Sequence, residues 1–533
     1  MRPRGRRGTH TEEPHISRTA DTQDRPTPWV DMAPGLRRLI SERATVATTA
    51  ATTFVADTRS PRTVGHSALA AAADRWAGEL TARGVAPGAR VLLSIADPLA
   101  FAVAHLAVVA AGRCSAPIDP GAPPAEAARA RSLIAPALVV TDRPGPAADR
   151  GATERVLVTP EGLPASPIGT ATTATAGPGS VLLLTSGSTG TPKAVALTEA
   201  QCLHVARAVA AHHRLTRADR GFCPLPLFHV NAQVVGLLAT LVAGGELVLD
   251  RRFRRTGFWE LLAERDITWV NAAPAIVTIL ARAADDPVVP AGLRFVRSAS
   301  AALPSPVRDL FVARTGLPVV ESYGMTEAAS QITATPLHLP HRPGSVGRPV
   351  GAEVRVVDER GLPCAPGVVG RVRIRGAGVI NGYVDGVAAD RFDAAGWLDT
   401  ADLGALDADG YLYLHGRADD VVNRGGELVH PVEVEEVLLG DPAVVEAVVA
   451  GRPHDVLGAV PVALVRTEPD AGHDTVAELP ARLEERCARQ LAPFKRPVEI
   501  RVVERFPVGP TGKVRRAAVR SGLAAETAGA ATR

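Results

Sequence analysis

The segment at residues 182–198, LLLTSGSTGTPKAVALT, follows a short apolar run with Thr185, Ser186, Gly187, Ser188, Thr189, Gly190 and Lys193. Glycine leaves backbone N–H groups open to a ligand, and hydroxyls with an ammonium group add to them, which makes a suitable cradle for anionic oxygens. The spacing is not that of a Walker A loop, which needs G-x-x-x-x-G-K-[ST] running into a helix. Here Pro192 precedes the lysine, and AVALT postpones the helix until about Glu199. The same composition also makes an ordinary turn, so the loop alone leaves both readings open.

Four later segments carry further chemistry. ESYGMTEA (321–328) holds Ser322, Tyr323, Gly324, Met325, Thr326 and Glu327, and GWLDTADLG (396–404) holds Asp402. GRADDVVNRGGELVHPVEVE (416–435) contributes Arg417, Asp419, Gly425 and Gly426, and PTGKVRR (510–516) presents Lys513 on a Pro-Thr-Gly turn. In isolation Glu327 and Lys513 read as solvated charges, Tyr323 as core, and Arg417 as half of a surface ion pair of little worth. An ionised carboxylate such as Asp402 accepts two hydrogen bonds and suits a vicinal diol.

These five segments, in this order, resemble the signature motifs of the adenylate-forming superfamily of acyl-CoA synthetases, peptide-synthetase adenylation domains and firefly luciferase. The resemblance covers the chain from about Ala33 to Gly522. It implies a two-step reaction: a carboxylate attacks the α-phosphate of MgATP to give an acyl-adenylate and pyrophosphate, and a thiol then displaces AMP. The implied cofactors are ATP, Mg2+ and CoA or another phosphopantetheine thiol. Residues 185–190 and Lys193 match the phosphate loop, Glu327 the magnesium-coordinating carboxylate, and Thr326 the α-phosphate hydroxyl. Ser300, Ala301, Ala302 and the stretch from Ser322 to Met325 fall among the nucleotide contacts, with Tyr323 beside the adenine. Asp402 and Arg417 match the ribose contacts.

Lys513 resembles the C-terminal lysine that swings in during adenylation as a mobile point charge. Asp419 corresponds to the hinge of that motion, and Gly425 and Gly426 would let a pantetheine arm pass close to the backbone. The chain departs from the usual pattern in reading TAD where TGD is common, Ala194 after the loop lysine, and Asn423 where a lysine is frequent.

The resemblance places the acyl pocket at PLFHVNAQVVG, RSASAAL and ESYGMTEAASQ, with His229, Asn231, Ser298 and Ala299 as its lining. His229 reads as a gate or wall, because a carboxylic acid is already ionised at neutral pH and needs no general base. The mixture of polar and small residues favours a small or aromatic acid over a long fatty chain. The leading function is an acid:CoA ligase. Two readings remain beside it: an adenylating enzyme that serves a carrier-protein thiol or a non-thiol acceptor such as an amine or nitrite, and a non-catalytic nucleotide-binding scaffold.

The elements that must position these groups follow from the rest of the 533 residues, which suggest two to four lobes at roughly 150 residues each. Hydrophobic residues at 46% and charged residues at 22% are ordinary for a globular protein. Net charge is +3, much of it from the opening MRPRGRR, which argues against nucleic acid as a partner. Five scattered cysteines without metal-ligand spacing suggest a reducing, cytoplasmic setting, and no integral membrane segment is expected.

From Ala33 to about Asp142 helical patterns alternate with short apolar runs, the pattern of α/β units on a mostly parallel sheet. Beyond Glu353 period-two strands such as GRVRIRG predict a β-rich subdomain, with Arg371, Arg373 and Arg375 facing away from Val372 and Ile374. The expected fold is therefore α/β: a disordered extension at 1–28, a large domain at 29–418 made of mostly parallel sheets plus the β-rich subdomain, a small mobile α+β domain at 419–522, and a disordered tail at 523–533.

Overall fold

The structure, a computed structural model, describes residues 35–50, 52–143, 153–172, 177–185, 193–468, 473–508 and 514–531. Two sheets form the bulk of it. In the first, strands Glu154–Leu157, Leu138–Thr141, Arg90–Ser94, Cys114–Pro117, Ser180–Thr185 and Lys193–Thr198 lie side by side in that order, parallel except for the last pair. In the second, a parallel block of Thr53–Asp57, Glu246–Leu249, Arg220–Cys223, Trp269–Ala272, Phe295–Ser298 and Val319–Tyr323 is flanked by short antiparallel edge strands. Strands buried on both faces need continuous apolar runs, and VLL in Arg90–Ser94 and LVL in Glu246–Leu249 supply them.

The largest core joins residues of both sheets and the helices His66–Ala82, Pro98–Ala110 and Glu199–His212. All thirteen residues of Pro98–Ala110 are buried, as a helix that is apolar on every side apart from His105 must be. Asp97 starts it, its side chain accepting from the amides of Leu99 and Ala100. After His229 and Asn231 the chain enters a π-helical stretch, Ala232–Leu238, whose seven residues are all buried. Such wide turns concentrate at functional sites.

The expected β-rich part is an antiparallel sheet of Glu353–Val357, Gly370–Arg375, Leu398–Leu406 and Leu412–Arg417. Val372 and Ile374 are fully buried, and Arg371 and Arg373 on the other face pair with Asp399 and Asp393. A five-stranded sheet spanning 422–502 carries the helices Pro431–Leu439 and His473–Gln490 against its own apolar cluster.

One expectation fails here. The chain does not fray from residue 523: the helix Arg516–Ala531 runs on, with Leu523 only 2% exposed in a cluster with Val448, Val462 and Val519. Leu523 is spaced four residues from Val519, so both fall on one face, and the alanine-rich sequence after it has high helix propensity. The extension expected at 1–28 lies outside the described residues.

Candidate active site

The phosphate-loop strands pair antiparallel and bring Thr185 opposite Lys193, with Thr185 Oγ1 donating to the Lys193 carbonyl at 3.2 Å. Ser186, Gly187, Ser188, Thr189 and Gly190 lie outside the described residues, as does Lys513. Lys193 Nζ stands 5.3 Å from the ring centroid of Tyr383, a residue that sequence reasoning did not select. The Tyr383 hydroxyl donates to Glu327 Oε1 at 2.6 Å, and Arg391 donates to the Tyr383 oxygen. Burial and the Glu327 carboxylate both hold the Tyr383 phenol well above its ordinary pKa, so it serves as a donor. Glu327 is 7% exposed, and its carbonyl accepts from the Ile380 amide at 2.9 Å.

A magnesium ion fits this donor set. Mg2+ takes oxygen ligands and is commonly held by one or two carboxylates together with substrate phosphates. Among the described residues no group of three or more His, Cys, Asp and Glu side chains could hold a metal by itself. An ion at Glu327 would therefore need ligands beyond the described carboxylates, imidazoles and thiols.

Strand Val319–Tyr323 delivers the ESYGMTEA segment into a tight return. A Cβ on Gly324 would lie 1.5 Å from the Ser330 carbonyl oxygen, so only glycine fits where the two backbones cross. Tyr323 hydroxyl donates to Asp402 Oδ2 at 2.5 Å, and burial with the neighbouring carboxylate raises its pKa strongly. Asp402 is in register with Arg417 on the adjacent strand, and Arg417 Nη1 lies 3.6 Å from Asp402 Oδ1. The proposed adenine and ribose contacts thus form one connected group. Thr326 and Met325 sit half-buried beside it, while Ser300, Ala301 and Ala302 are exposed on the loop after strand Phe295–Ser298.

Left-handed backbone clusters here. Ser300 has φ 80°, Ala329 47°, Ser330 99° and Ala401 64°, conformations in which a non-glycine residue costs roughly 1–3 kcal/mol. The Ala401 value gives physical meaning to the TAD departure, since the usual glycine would hold this geometry without strain.

Among the residues expected to line the acyl pocket, Asn231 Nδ2 donates to Ser300 Oγ at 3.2 Å, and Ser298 and Ala299 are buried. His229 packs on Phe228, and burial pushes its pKa down to about 4. It is therefore neutral at physiological pH and a weak proton acceptor, since an effective general base has a pKa near the working pH. Sequence reasoning quoted RSASAAL without selecting Arg297, which is 1% exposed. Arg297 Nη1 donates to Asn231 Oδ1 at 3.0 Å and Asn271 Oδ1 at 3.1 Å, and Nη2 to Ser322 Oγ at 3.0 Å and Gln331 Oε1 at 3.3 Å.

The remaining selected residues lie in the C-terminal part. Gly425 and Gly426 adopt φ 64° and 98°; their amides bond the Leu457 carbonyl and Asn423 Oδ1, both at 2.8 Å, within their own sheet. Asn423, the other departure, thus closes the turn that the two glycines make. Asp419 Oδ2 is 3.9 Å from Arg417 Nη2, and its carbonyl accepts from Arg520 at 2.7 Å.

Residues 42–384 match the AMP-binding enzyme model, and residues 433–513 match the AMP-binding enzyme C-terminal domain. The chain belongs to the AMP-binding enzyme family. It is 41% identical to the sulfoacetate–CoA ligase of Cupriavidus necator over 341 residues, 63% of this chain and 65% of that relative. A probable CoA ligase of Humulus lupulus matches at 33% identity over 85% of this chain and 90% of its own length. Among solved structures, ATP-bound MatB from Rhodopseudomonas palustris superposes with a TM-score of 0.82 at 26% identity, covering 92% of this chain and 98% of that one. The expected α/β architecture and family resemblance are both borne out. No described helix is long and apolar enough to cross a membrane.

Proposed function

We propose that this protein is an AMP-forming acid:CoA ligase that activates a small or aromatic carboxylic acid rather than a long fatty chain. The observation that carries the reading is a pair of contact groups, Lys193–Tyr383–Glu327 and Tyr323–Asp402–Arg417, which gather cationic, carboxylate and diol-accepting side chains around the two ends of the single segment 323–327. The names of the relatives carry CoA, which favours CoA over a carrier protein as the thiol source. The acid named for the Cupriavidus necator relative, sulfoacetate, is small, and the buried polar groups of Asn231 and Ser298 beside half-buried His229 also favour a small acid.

In the first half-reaction the ionised acid attacks the α-phosphorus of ATP; the new C–O–P linkage forms as the bond to pyrophosphate breaks. Phosphoryl chemistry of this kind needs positioning and charge neutralisation more than covalent help. Asp402 and Arg417 hold the ribose, Tyr323 fixes Asp402, and Lys193 with Lys513 offsets phosphate charge. Mg2+, bound through Glu327, supplies further charge neutralisation at the phosphates. In the second half-reaction the thiol sulfur attacks the acyl carbon, AMP leaves with the former bridging oxygen, and the thiol proton passes to solvent. The domain boundary near Asp419 is part of the same proposal, with Lys513 serving the first step and the Gly425–Gly426 turn the second.

The test is acid-dependent ATP–pyrophosphate exchange and CoA thioester formation across a panel of acids, with Lys513→Ala in parallel. Lys513→Ala should nearly abolish exchange while sparing thioester formation from supplied acyl-adenylate. Equal loss in both half-reactions would refute the role given to Lys513, and no acid-dependent exchange in the wild type would refute the ligase reading.

A further inference from the structure

Arg297 sits at the centre of the acyl wall and is the least compensated charge there. Its four bonded partners, Asn231, Asn271, Ser322 and Gln331, are all neutral oxygens, and no carboxylate among the described residues pairs with it. A cation taken out of water without a counter-charge is expensive, and proteins normally supply one. Two further donors in the same cluster are buried without a partner among the described residues: Arg297 Nε and Gln331 Nε2. Gln331 is 1% exposed, and its oxygen is already committed to Arg297 and Ser322, so its amide N–H groups are left to donate elsewhere. His212 and His213 nearby are held neutral by burial and by Arg297 itself, so they add no charge to the cluster. What this cluster lacks is an anion with several acceptor oxygens.

The cluster is joined to both ends of the site. Asn231 touches Arg297 on one side and Ser300 on the other. Ser322 bonds Arg297, and the next residue, Tyr323, bonds the ribose-site Asp402. Ser322 and Tyr323 are consecutive residues of one strand, a rise of about 3.3 Å, so the two bonded groups are neighbours along the chain although their side chains leave opposite faces of the strand.

We propose that the acyl pocket ends in an anion subsite built on Arg297 and Gln331, and that the substrate is a short acid with a second anionic group, carboxylate or sulfonate. One carboxylate is activated at the α-phosphate while the other anionic group docks on the Arg297 guanidinium and the Gln331 amide. Arg297 and Gln331 set specificity and take no part in bond making. This inference rests on the acid:CoA ligase reading, and its test separates the two.

Pyrophosphate release is measured with the full chain, MgATP and matched acid pairs that differ only in the second charge: malonate against malonamate, succinate against succinamate, and sulfoacetate against methylsulfonylacetate. Wild type should prefer the doubly anionic member of at least one pair by about 100-fold or more in kcat/KM, because a site built around polar groups rejects the analogue that leaves them unpaired. Arg297→Met should collapse that ratio to within about threefold, Arg297→Lys should retain part of it, and Gln331→Leu should lower it by about tenfold. A wild type indifferent to the second charge, or an Arg297→Met variant that loses both members of each pair in the same proportion, would overturn the subsite and leave Arg297 as a structural cation. If no acid releases pyrophosphate, the ligase reading fails and the subsite is judged by thermal shift. Malonate, succinate or sulfoacetate must then raise the melting temperature of wild type more than its neutral partner does, and more than it raises that of Arg297→Met; equal shifts overturn it.

Discussion

Tyr383 donates its phenol hydrogen to Glu327 Oε1 across 2.6 Å, although 56 positions separate them in sequence. The bond fixes one of the two carboxylate oxygens. Arg391 anchors the phenol from behind, and its own Nε is held by the Asp399 carbonyl at 2.8 Å. Tyr383 is thus a positioning residue for the carboxylate, and Lys193 Nζ lies 5.3 Å from the centroid of its ring.

Tyr383→Phe keeps that ring but loses the hydrogen bond. Supporting bonds behind a metal-ligating carboxylate are typically worth about 10- to 100-fold in metal affinity or activity. The variant should lower adenylation by that factor and raise the Mg2+ concentration needed for half-maximal pyrophosphate release. A magnesium titration checks this; an unchanged midpoint would mean that the phenol does not position Glu327.

Asp402 gives the second prediction. Removing a charged acceptor from a hydrogen-bonded ligand costs about 1.5–3 kcal/mol, so Asp402→Ala should raise the KM for ATP by about 10- to 100-fold. Tyr323→Phe, which removes only the donor to Asp402 Oδ2, should cost about threefold. Because the two residues are bonded, the double variant should fall short of the product of the single effects. Steady-state KM for ATP in all four proteins checks the coupling.

How much of this was legible in the sequence depended on whether a residue's meaning is local. Asp402, Glu327 and Tyr323 sit in short segments whose order identifies them, and the period-two pattern around Val372 and Ile374 reads directly as a half-buried strand. Tyr383 and Arg391 acquire their roles only when the chain folds back on Glu327, which no local pattern encodes. Arg297 was hidden for another reason. Within FVRS an arginine reads as a solvent-facing position, and only the layer formed by the π-helical stretch and strand Phe295–Ser298 shows it to be buried. The helix beyond residue 522 was missed because an alanine-rich end resembles a tail until Val448 and Val462 are found beneath Leu523.

Burial of histidine makes stability depend on pH. His105 is 2% exposed, bonds Ser115 Oγ through Nδ1 at 2.8 Å, and is pushed by burial from 6.5 down to about 4. Between those values the unfolded chain binds a proton that the folded protein refuses, so stability is present above pH 6.5 and is lost as pH falls toward 4. The loss from this one residue is on the order of 3 kcal/mol. Urea unfolding followed by tryptophan fluorescence at a series of pH values should show the midpoint falling through that window, and His105→Asn should flatten the slope. A variant with the wild-type slope would assign the effect to other buried histidines.

Ala401 offers a test in the stabilising direction. It lies between Thr400, whose hydroxyl accepts from the Asp402 amide at 3.1 Å, and Asp402 itself, so its backbone geometry orients the Asp402 side chain. At φ 64° the methyl group crowds its own backbone, a conformation costing an L-residue about 1–2 kcal/mol that glycine avoids. Glycine also has more freedom to lose on folding, about 0.5–1 kcal/mol, which offsets part of the gain. Ala401→Gly should therefore raise stability by up to about 1 kcal/mol and leave the KM for ATP within about twofold, because the strain is relieved without moving the strand register that pairs Asp402 with Arg417. Thermal unfolding with and without ATP checks both halves. A stability loss beyond about 1 kcal/mol would show that the alanine methyl makes a packing contact worth more than the strain it carries.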